Sequence, residues 1–424
     1  MDRGSGARRA GPLREHGGLR MRTTVAAMDF GTSKIVTLVA ENSSANSCEV
    51  IGLGMANYDG YNREGWNNPG AVDAMIEQSI EDAQKQCGRK IHSIYVGIPA
   101  AFTTIYTAEA KLKLKDTDPK VKQEDIRELY RQAEASLRQE EERRQQPMGE
   151  VVHTSPAWFI IDGNKRTFQP VNQPGHELST MISFVLADRF FLDEINNRLT
   201  RLGYKVEGFF STAAGEVMLY LPESDRDQTS VLIDVGYLCT DVLIAQGDAL
   251  TFCKTIDLGG GDFAAALAEG LNIRMEDAED KIKRKYVFGI ETSSETFDIP
   301  AVSGAKGASF TRQQVNEVLL PGVDALADEI SEAIESSGTK LGTNSTVYMT
   351  GGGLAMNRGA LQYISEKLGR PVREVPKKTT KLNSHTLSAA LGLLDLVIDT
   401  VEQEKMKSGG GGRILQFFRN LMGG

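Results

Sequence analysis

A two-lobed α/β fold built from a duplicated unit is predicted by three observations. Residues 231–246 contain two apolar runs separated by a turn that begins Asp-x-Gly. The same pattern occurs in residues 25–40, near the other end of the chain. Apolar runs of strand length also alternate with stretches of helical periodicity in both halves, as in α/β proteins. Taken alone, each pattern is equally typical of an ordinary β-hairpin with an Asp-x-Gly turn.

The two turns have the chemistry of a phosphate and metal site. Gly31 and Gly236 would let backbone N–H groups approach a phosphate closely. Asp29 and Asp234 could hold a metal ion or one of its waters. Two such turns that face each other across a cleft would bind a nucleotide from both sides.

Composition excludes several classes of protein. The chain has 424 residues, enough for two or more lobes with separate cores. Its formal net charge of −9 argues against a general nucleic-acid role. The four cysteines lack metal-ligand spacing, as expected in a reduced cytosolic protein. There is no apolar run of about 18 residues that could span a membrane.

Residues 1–20 are rich in Gly and Arg and contain no apolar segment. We therefore predict a disordered leader rather than a signal peptide. Met21 is an alternative start of the natural chain.

The first lobe is predicted in residues 21–101 and 187–228. Its strands are predicted from short apolar runs, and its helices from apolar residues at helical spacing. Besides the first hairpin, the predicted elements are a strand at 49–56, a helix at 70–87, a strand at 91–98, a helix at 191–202, a strand at 205–209 and a helix at 211–219. The last of these is rich in small residues, which would allow close packing at a crossover between lobes.

A change in composition marks an insert at residues 102–186. Its charged segment, residues 124–144, is predicted to be a long solvated helix rather than a binding site. Strands are predicted at 151–161 and 177–187, on either side of a Gly- and Pro-rich loop. The insert is therefore predicted to be a small α+β subdomain within the first lobe.

The second lobe is predicted in residues 229–384, with a return helix to the first lobe at 385–400. A glycine run that includes Gly259 and Gly260 opens a helix predicted at 263–271, where N–H groups could meet an anion. Glycines before a helix are common, so this motif alone is weak.

Another predicted helix, residues 275–285, carries Glu279 and Lys283 at i, i+4 spacing. The simpler interpretation of this pair is a surface ion pair.

A second glycine motif follows a predicted strand at 345–350. Gly351, Gly352 and Gly353 come directly after it, and the next helix is predicted to begin at 354–357. Such a corner permits backbone approach to a ligand, although a strained β-to-α turn explains it equally well. A further helix is predicted at 315–336.

The order of these parts resembles the actin/Hsp70/sugar-kinase superfamily and, more narrowly, the FtsA family of bacterial cell-division proteins. The resemblance is carried by MDFGTSK, CGRKIHSIYVGIP, VVHTSPAWFIIDG, AEDKIKRKY, and TGGG followed by LGRPVREVP. An insert in the first lobe is also typical of FtsA. The resemblance implies an actin-like two-lobed ATPase fold with duplicated RNase H-like domains. It further implies ATP and Mg²⁺ between the lobes, filament formation and binding to the C-terminal tail of FtsZ.

The resemblance also implies a role for each motif residue. Asp29 and Asp234 would position Mg²⁺ through water and are the candidate catalytic residues. Gly31, Thr32 and Ser33 would meet the β- and γ-phosphates, and Gly236 would approach them from the other lobe. The full set of implied nucleotide-binding residues is Gly31, Thr32, Ser33, Lys34, Asp234, Gly236, Thr240, Gly259, Gly260, Glu279, Lys283, Gly351, Gly352 and Gly353.

The second turn departs from the family pattern Asp-x-Gly-Gly-Gly-Thr-Thr-Asp. Tyr237 and Leu238 replace glycines, and Cys239 replaces a threonine. Side chains at these positions could obstruct close approach or forbid a positive φ. The retained acidic residues and the intact TGGG corner favour ATP binding with little or no hydrolysis.

The chain ends in a segment with the pattern of a membrane-binding helix. Residues 401–412 are predicted to be a flexible linker. Residues 413–424 are predicted to form a short amphipathic, cationic helix of the kind that lies in a membrane interface. Its membrane-binding residues would be Arg413, Ile414, Leu415, Phe417, Phe418, Arg419, Leu421 and Met422. FtsA ends in the same way.

The sequence thus predicts a peripheral protein at the cytoplasmic face of the membrane at the division site. Its predicted partners are the FtsZ tail, further copies of itself, membrane lipids and other divisome proteins, but not nucleic acid. Two alternatives stay open. One is a nucleotide-degenerate scaffold of another membrane machine, such as a pilus or competence system. The other is a soluble sugar or acetate kinase of the same superfold.

Overall fold

The computed structural model describes residues 24–44, 47–62, 64–115, 119–290, 294–300, 307–342, 345–376 and 384–408. Within these residues the strands, in chain order, are β1 (Thr24–Phe30), β2 (Lys34–Ser44), β3 (Ser47–Asn57), β4 (Tyr61–Asn62), β5 (Gly65–Trp66), β6 (Ser93–Ile98), β7 (Thr103–Lys113), β8 (Glu150–Ile161), β9 (Lys165–Thr167), β10 (Glu177–Ala187), β11 (Lys205–Ser211), β12 (Thr229–Val235), β13 (Thr240–Gln246), β14 (Ala249–Ile256), β15 (Thr296–Ile299), β16 (Ala308–Thr311), β17 (Val347–Thr350) and β18 (Val372–Glu374).

The α-helices are α1 (Val72–Cys87), α2 (Gln123–Arg144), α3 (Arg189–Arg201), α4 (Thr212–Tyr220), α5 (Glu223–Arg226), α6 (Gly260–Gly270), α7 (Met275–Asp277), α8 (Arg312–Ser336), α9 (Ala360–Leu368) and α10 (Ser388–Ser408). A π-helical turn spans Ala278–Ile282, and 3₁₀ turns span Ala100–Phe102, Lys283–Lys285 and His385–Leu387.

Two five-stranded sheets share one topology. The first has the order β11-β6-β1-β2-β3 and the second has the order β18-β17-β12-β13-β14. In each sheet the hairpin strands pair antiparallel, and the first hairpin strand pairs in parallel with the strand that follows a helical connection. The prediction of a duplicated α/β unit is therefore confirmed.

The central strands are buried on both faces. In β12, Val231 and Ile233 pack into the core of the second lobe, whereas Leu232 between them packs into a core shared by the two lobes. In β1, Met28 faces the first-lobe core, and Ala27 faces the shared core. This alternation follows the two-residue period of a strand. Each sheet therefore has one face toward its own helices and one toward the other lobe.

The shared core is built around the two connector helices, α4 and α10. They cross at Gly215 and Gly392, where a Cβ atom on Gly215 would lie 2.4 Å from the carbonyl oxygen of Gly392. Small residues at this crossing let the two backbones touch, as predicted for the small-residue helix.

The segment predicted as an insert forms its own four-stranded sheet, in the order β7-β10-β8-β9. Helix α2 covers this sheet with Leu129, Tyr130, Ala133 and Leu137, so the charged helix is solvated on one face only.

The insert also contacts the second lobe. The Ser183 hydroxyl donates to the carbonyl oxygen of Leu250, and the N–H of Asp248 donates to the carbonyl oxygen of Ala157. The predicted domain boundaries themselves stay an interpretation.

Several predicted elements differ from the structure. The helix predicted from residue 354 begins at Ala360, because residues 351–359 form turns. The helix predicted at 275–285 is broken into a short α-helix, a π turn and a 3₁₀ turn. Helix α10 continues to Ser408, into the predicted linker. Residues 1–23 and 409–424, with the leader and the predicted membrane-binding helix, lie outside the described residues. Among the described helices, none is long and apolar enough to cross a membrane.

We predict that Gly215→Ala destabilises the protein by about 1–3 kcal/mol, because the new methyl group collides with the α10 backbone. In an ordinary helix interior the same change would stabilise, by up to about 1 kcal/mol. Urea unfolding measures the difference. Gly342→Ala is the matched control, since a Cβ there meets nothing within 4 Å. Equal urea midpoints of unfolding for the two variants would contradict the close contact between α4 and α10.

Candidate functional site

The first turn lies between β1 and β2 and is held by its own backbone and by the loop after β3. The N–H of Gly31 donates to the carbonyl oxygen of Lys34 at 3.0 Å. The Tyr58 hydroxyl donates to the carbonyl oxygen of Gly31 at 2.6 Å, and the Tyr58 N–H donates to that of Ser33 at 3.0 Å. The turn that contains the predicted phosphate-binding residues therefore has a fixed shape.

The second turn lies between β12 and β13 and accommodates the unexpected side chains without strain. The N–H of Gly236 donates to the carbonyl oxygen of Cys239 at 2.8 Å. Tyr237, Leu238 and Cys239 all have negative φ angles. Hence this turn does not require glycine at these three positions, and the concern about a forbidden backbone conformation does not apply.

The triple-glycine corner packs directly on the second turn. The N–H of Gly353 donates to the carbonyl oxygen of Val235 at 2.7 Å. A Cβ on Gly353 would lie 2.2 Å from the carbonyl oxygen of Gly236. Gly351 has a φ of 95°, and a Cβ there would lie 2.2 Å from Oδ1 of Asp234. Only glycine fits at these two positions.

The glycine run before α6 also serves the second turn. The N–H of Gly260 donates to the carbonyl oxygen of Gly236 at 2.9 Å. The N–H of Gly261 donates to the carbonyl oxygen of Tyr237 at 2.6 Å. The N–H of Gly259 is bonded to Oδ2 of Asp262. These donors, which were expected to face an anion, already have acceptors and hold the turn in place.

Glu279 and Lys283 lie beside this junction and are not a surface pair. Their ion pair measures 3.0 Å, and the Lys283 side chain is only 5% exposed. Burial lowers the pKa of Lys283, and the nearby Glu279 opposes that shift. Asn357, just after the glycine corner, donates to the carbonyl oxygen of Lys283 at 2.7 Å. Glu279 lies in the π turn, a distortion that is frequent at functional sites, and Lys283 begins the 3₁₀ turn that follows it.

Three acidic side chains meet at the base of the two turns. Burial raises the pKa of Asp29 to about 7, with a further contribution from Asp234 and an opposing one from Lys34. Burial also raises the pKa of Asp234, to about 6. The third acid is Glu216 of α4, whose pKa is raised well above its usual value by burial and then by Asp234. Within the described residues, Oδ1 of Asp234 and Oε1 of Glu216 are buried without a hydrogen-bond partner.

This acidic cluster suits a cation that is reached through water. No group of three or more His, Cys, Asp or Glu side chains in the described part of the chain is arranged to hold a metal ion directly. Mg²⁺ usually keeps several waters and takes few protein ligands, so an indirect role for Asp29 and Asp234 fits its chemistry.

The two turns contact each other. The N–H of Leu238 donates to Oγ1 of Thr32 at 3.0 Å, which joins the first lobe to the second. Thus the structure brings together Asp29, Thr32, Asp234, Gly236, Gly260, Lys283 and the glycine corner. The Thr240 hydroxyl donates to the carbonyl oxygen of Leu258, and Thr240 is fully buried, so its predicted contact with a nucleotide stays a prediction.

Sequence reasoning missed Glu216, Tyr58 and His385. Glu216 is the one charged residue in a helix of small and apolar residues, and this isolation could have identified it. His385 contacts Oγ1 of Thr350 through Nδ1 at 3.2 Å and Glu374 through Nε2 at 3.1 Å. No local pattern indicates this contact, because the three residues meet only when β17, β18 and the 3₁₀ turn before α10 converge.

Comparison with known proteins gives sequence relatives over most of the chain. Residues 231–392 match the sequence model of a family described as "Cell division protein FtsA". The chain is 25% identical over 378 residues to FtsA of Pseudomonas aeruginosa, covering 87% of this chain and 88% of that protein. It is 23% identical over 343 residues to FtsA of Escherichia coli, covering 80% of each. The resemblance to the FtsA family is thereby confirmed.

Solved structures give the fold. A chain of the PilM-PilN type IV pilus biogenesis complex matches with a TM-score of 0.58 and 17% identity, over 87% of this chain and 97% of that chain. MreB5 of Spiroplasma citri, solved with AMPPNP, matches with a TM-score of 0.54 and 13% identity, over 91% of this chain and 98% of that chain. The fold is actin-like.

We predict that Asp29→Asn stabilises the protein, measured without nucleotide, more at pH 8 than at pH 5. Because the folded-state pKa of Asp29 is raised to about 7, the folded wild type holds a proton that the unfolded chain releases, and its stability falls as the pH rises towards 7. Between pH 5 and pH 8, the stabilisation by Asp29→Asn should grow by on the order of 2 kcal/mol in the free energy of unfolding, as measured with urea. Asp82→Asn, on the solvent side of α1, controls for the lost charge. Parallel pH profiles for wild type and Asp29→Asn would show that this carboxyl ionises normally.

Proposed function

We propose that this chain, a relative of the FtsA cell division proteins with an actin-like fold, binds ATP and Mg²⁺ between its lobes and tethers FtsZ filaments to the membrane. The observation that supports the nucleotide site best is the meeting of both turns and the glycine corner around a buried acidic cluster. Acids held at such unfavourable pKa values are typical of sites that gain a cation or a ligand.

The nucleotide would be held mainly by backbone. Gly31, Thr32 and Ser33 present the first turn to the phosphates, and the corner from Gly351 to Gly353 lies at the second. Lys34 is a further candidate, since burial lowers the pKa of its ammonium group while the adjacent Asp29 opposes that shift. A bound Mg²⁺ would neutralise charge on the phosphates and on the acidic cluster.

Assembly and tethering are proposed from the family relationship and the chain terminus. The amphipathic pattern of residues 413–424 suits an interfacial anchor. A helix of this length binds weakly as one copy, and a filament of many copies would raise the avidity. The proposed location is the cytoplasmic face of the membrane at the division site, among FtsZ and other divisome proteins.

We keep a scaffold of another membrane machine as the second candidate function. The structural match to a type IV pilus biogenesis complex favours it, as does the departure at Tyr237 and Leu238. Anisotropy of a labelled FtsZ C-terminal peptide separates the candidates. Saturable binding supports the tether, and absence of binding at high protein concentration supports the scaffold. A soluble sugar kinase has no use for a terminal amphipathic segment and is the least supported.

We predict that Asp29→Asn weakens ATP binding in Mg²⁺ by about tenfold, or ~1.4 kcal/mol. The lost carboxylate can no longer hold a Mg²⁺ water. Calorimetry with and without Mg²⁺ measures the change, and Asp82→Asn should bind as the wild type does. Unchanged affinity of Asp29→Asn would remove this residue from the site.

We also predict that Phe417→Glu releases the protein from liposomes of mixed anionic and neutral lipid. The substitution places a charge on the apolar face of the helix predicted from the sequence of residues 413–424. Gln416→Glu adds the same charge to the polar face and should reduce pelleting far less. Equal loss in both variants would indicate a purely electrostatic attachment.

A further inference from the structure

We propose that the two turns hold each other closed through a direct contact that a triphosphate must displace. This inference rests on the nucleotide site proposed above and adds a form of regulation to it. We call the contact the inter-turn clasp and define it as Thr32 and Gly60 from the first lobe with Leu238 and Cys239 from the second.

The polar part of the clasp is a hydrogen bond between lobes. Oγ1 of Thr32 accepts from the N–H of Leu238 at 3.0 Å. Both groups lie where the proposed site needs donors for phosphate oxygens, and the contact makes each the partner of the other.

The apolar part depends on the Leu238 side chain. A Cβ built on Gly60 would lie 3.2 Å from Cδ1 of Leu238 and 2.1 Å from the carbonyl oxygen of Thr32. Gly60 has a φ of 75° and therefore lets the loop after β3 fold tightly under Leu238. Burial raises the pKa of Tyr61 well above its usual value, and the Cys239 thiol of the second lobe contributes to this shift.

Each half of the clasp is held by contacts within its own lobe. On the first lobe, Tyr61 and Trp66 pack edge to face with ring centroids 5.9 Å apart, and Phe30 lies 5.5 Å from Trp66. On the second lobe, the hydrogen bonds from Gly260, Gly261 and Gly353 fix the turn. Little conformational entropy is lost when two such surfaces come together.

The contact occupies a donor that the phosphates would need. The Leu238 N–H carries a single hydrogen, which it donates to Oγ1 of Thr32 at 3.0 Å. It cannot donate to a phosphate oxygen while this bond is made. ATP must therefore part the lobes locally, and its apparent affinity is reduced by the fraction of molecules in which the clasp is shut.

The clasp is tested first by amide hydrogen exchange of the full chain without nucleotide. The Leu238 amide should be protected in the wild type and exchange at least tenfold faster in Thr32→Val, which keeps the side-chain shape and removes the acceptor. Thr251→Val is the matched control, since its hydroxyl bonds only to Ile244 within the second lobe. An unchanged Leu238 exchange rate in Thr32→Val would overturn the proposal.

Calorimetry with Mg²⁺ and ATP then tests the competition. Leu238→Gly should bind about tenfold more tightly than the wild type, whereas Leu238→Met keeps the apolar contact and should match the wild type. Equal affinity of Leu238→Gly and wild type would overturn regulation by the clasp.

The two proposals can fail separately. Failure of every variant to bind ATP, together with Thr32-dependent protection of Leu238, would refute the proposed nucleotide site and the competition with it. The clasp would then remain as a direct contact between the lobes, without a role in nucleotide binding. Tight ATP binding with no Thr32-dependent protection would support the nucleotide site and refute the clasp.

Discussion

The rest of this structure depends on one constraint: at several glycines, the backbone of one segment packs directly against the backbone of another. Gly351 and Gly353 place the end of β17 directly against the second turn, and Gly215 and Gly392 let the two connectors touch between the lobes. A methyl group at any of these positions would fall within about 2.6 Å of a neighbouring atom, where hard-sphere repulsion is severe. Close backbone contact at glycine thus fixes both the candidate site and the crossing of the connector helices α4 and α10.

The glycines also explain why the departures in the second turn are tolerated. Close approach at this turn is made from outside, by Gly259, Gly261 and Gly353, so the turn itself does not need glycine at 237 and 238. Tyr237 contributes its carbonyl oxygen to α6, and Leu238 contributes its N–H to the first lobe. The two residues that depart from the family pattern thus use their backbone atoms to hold the turn to α6 and to the first lobe.

Burial of acidic groups has an energetic cost that the fold does not offset by itself. Asp29, Asp234 and Glu216 all have raised pKa values, so each is harder to ionise than in water. Lys34 opposes the shift of Asp29 only in part. A binding site that needs a cation can store such unfavourable charge, because the ligand then relieves it.

The sequence by itself determined the duplicated unit, the two hairpins, the crossover helices and the motifs of the cleft. These features depend on local periodicity and on glycine, whose effects act over a few residues. Only the tertiary structure decided which donors were already engaged, that Lys283 is buried, and that Glu216 and His385 join the site. Contacts of this kind connect residues that are far apart in the chain, such as Thr32 and Leu238, and no local pattern encodes the distance between them. For the same reason residues 354–359 and the π turn at 278–282 were predicted as regular helix. Long-range contacts, such as those of Asn357 with the carbonyl oxygens of Lys283 and Tyr286, override helical propensity there.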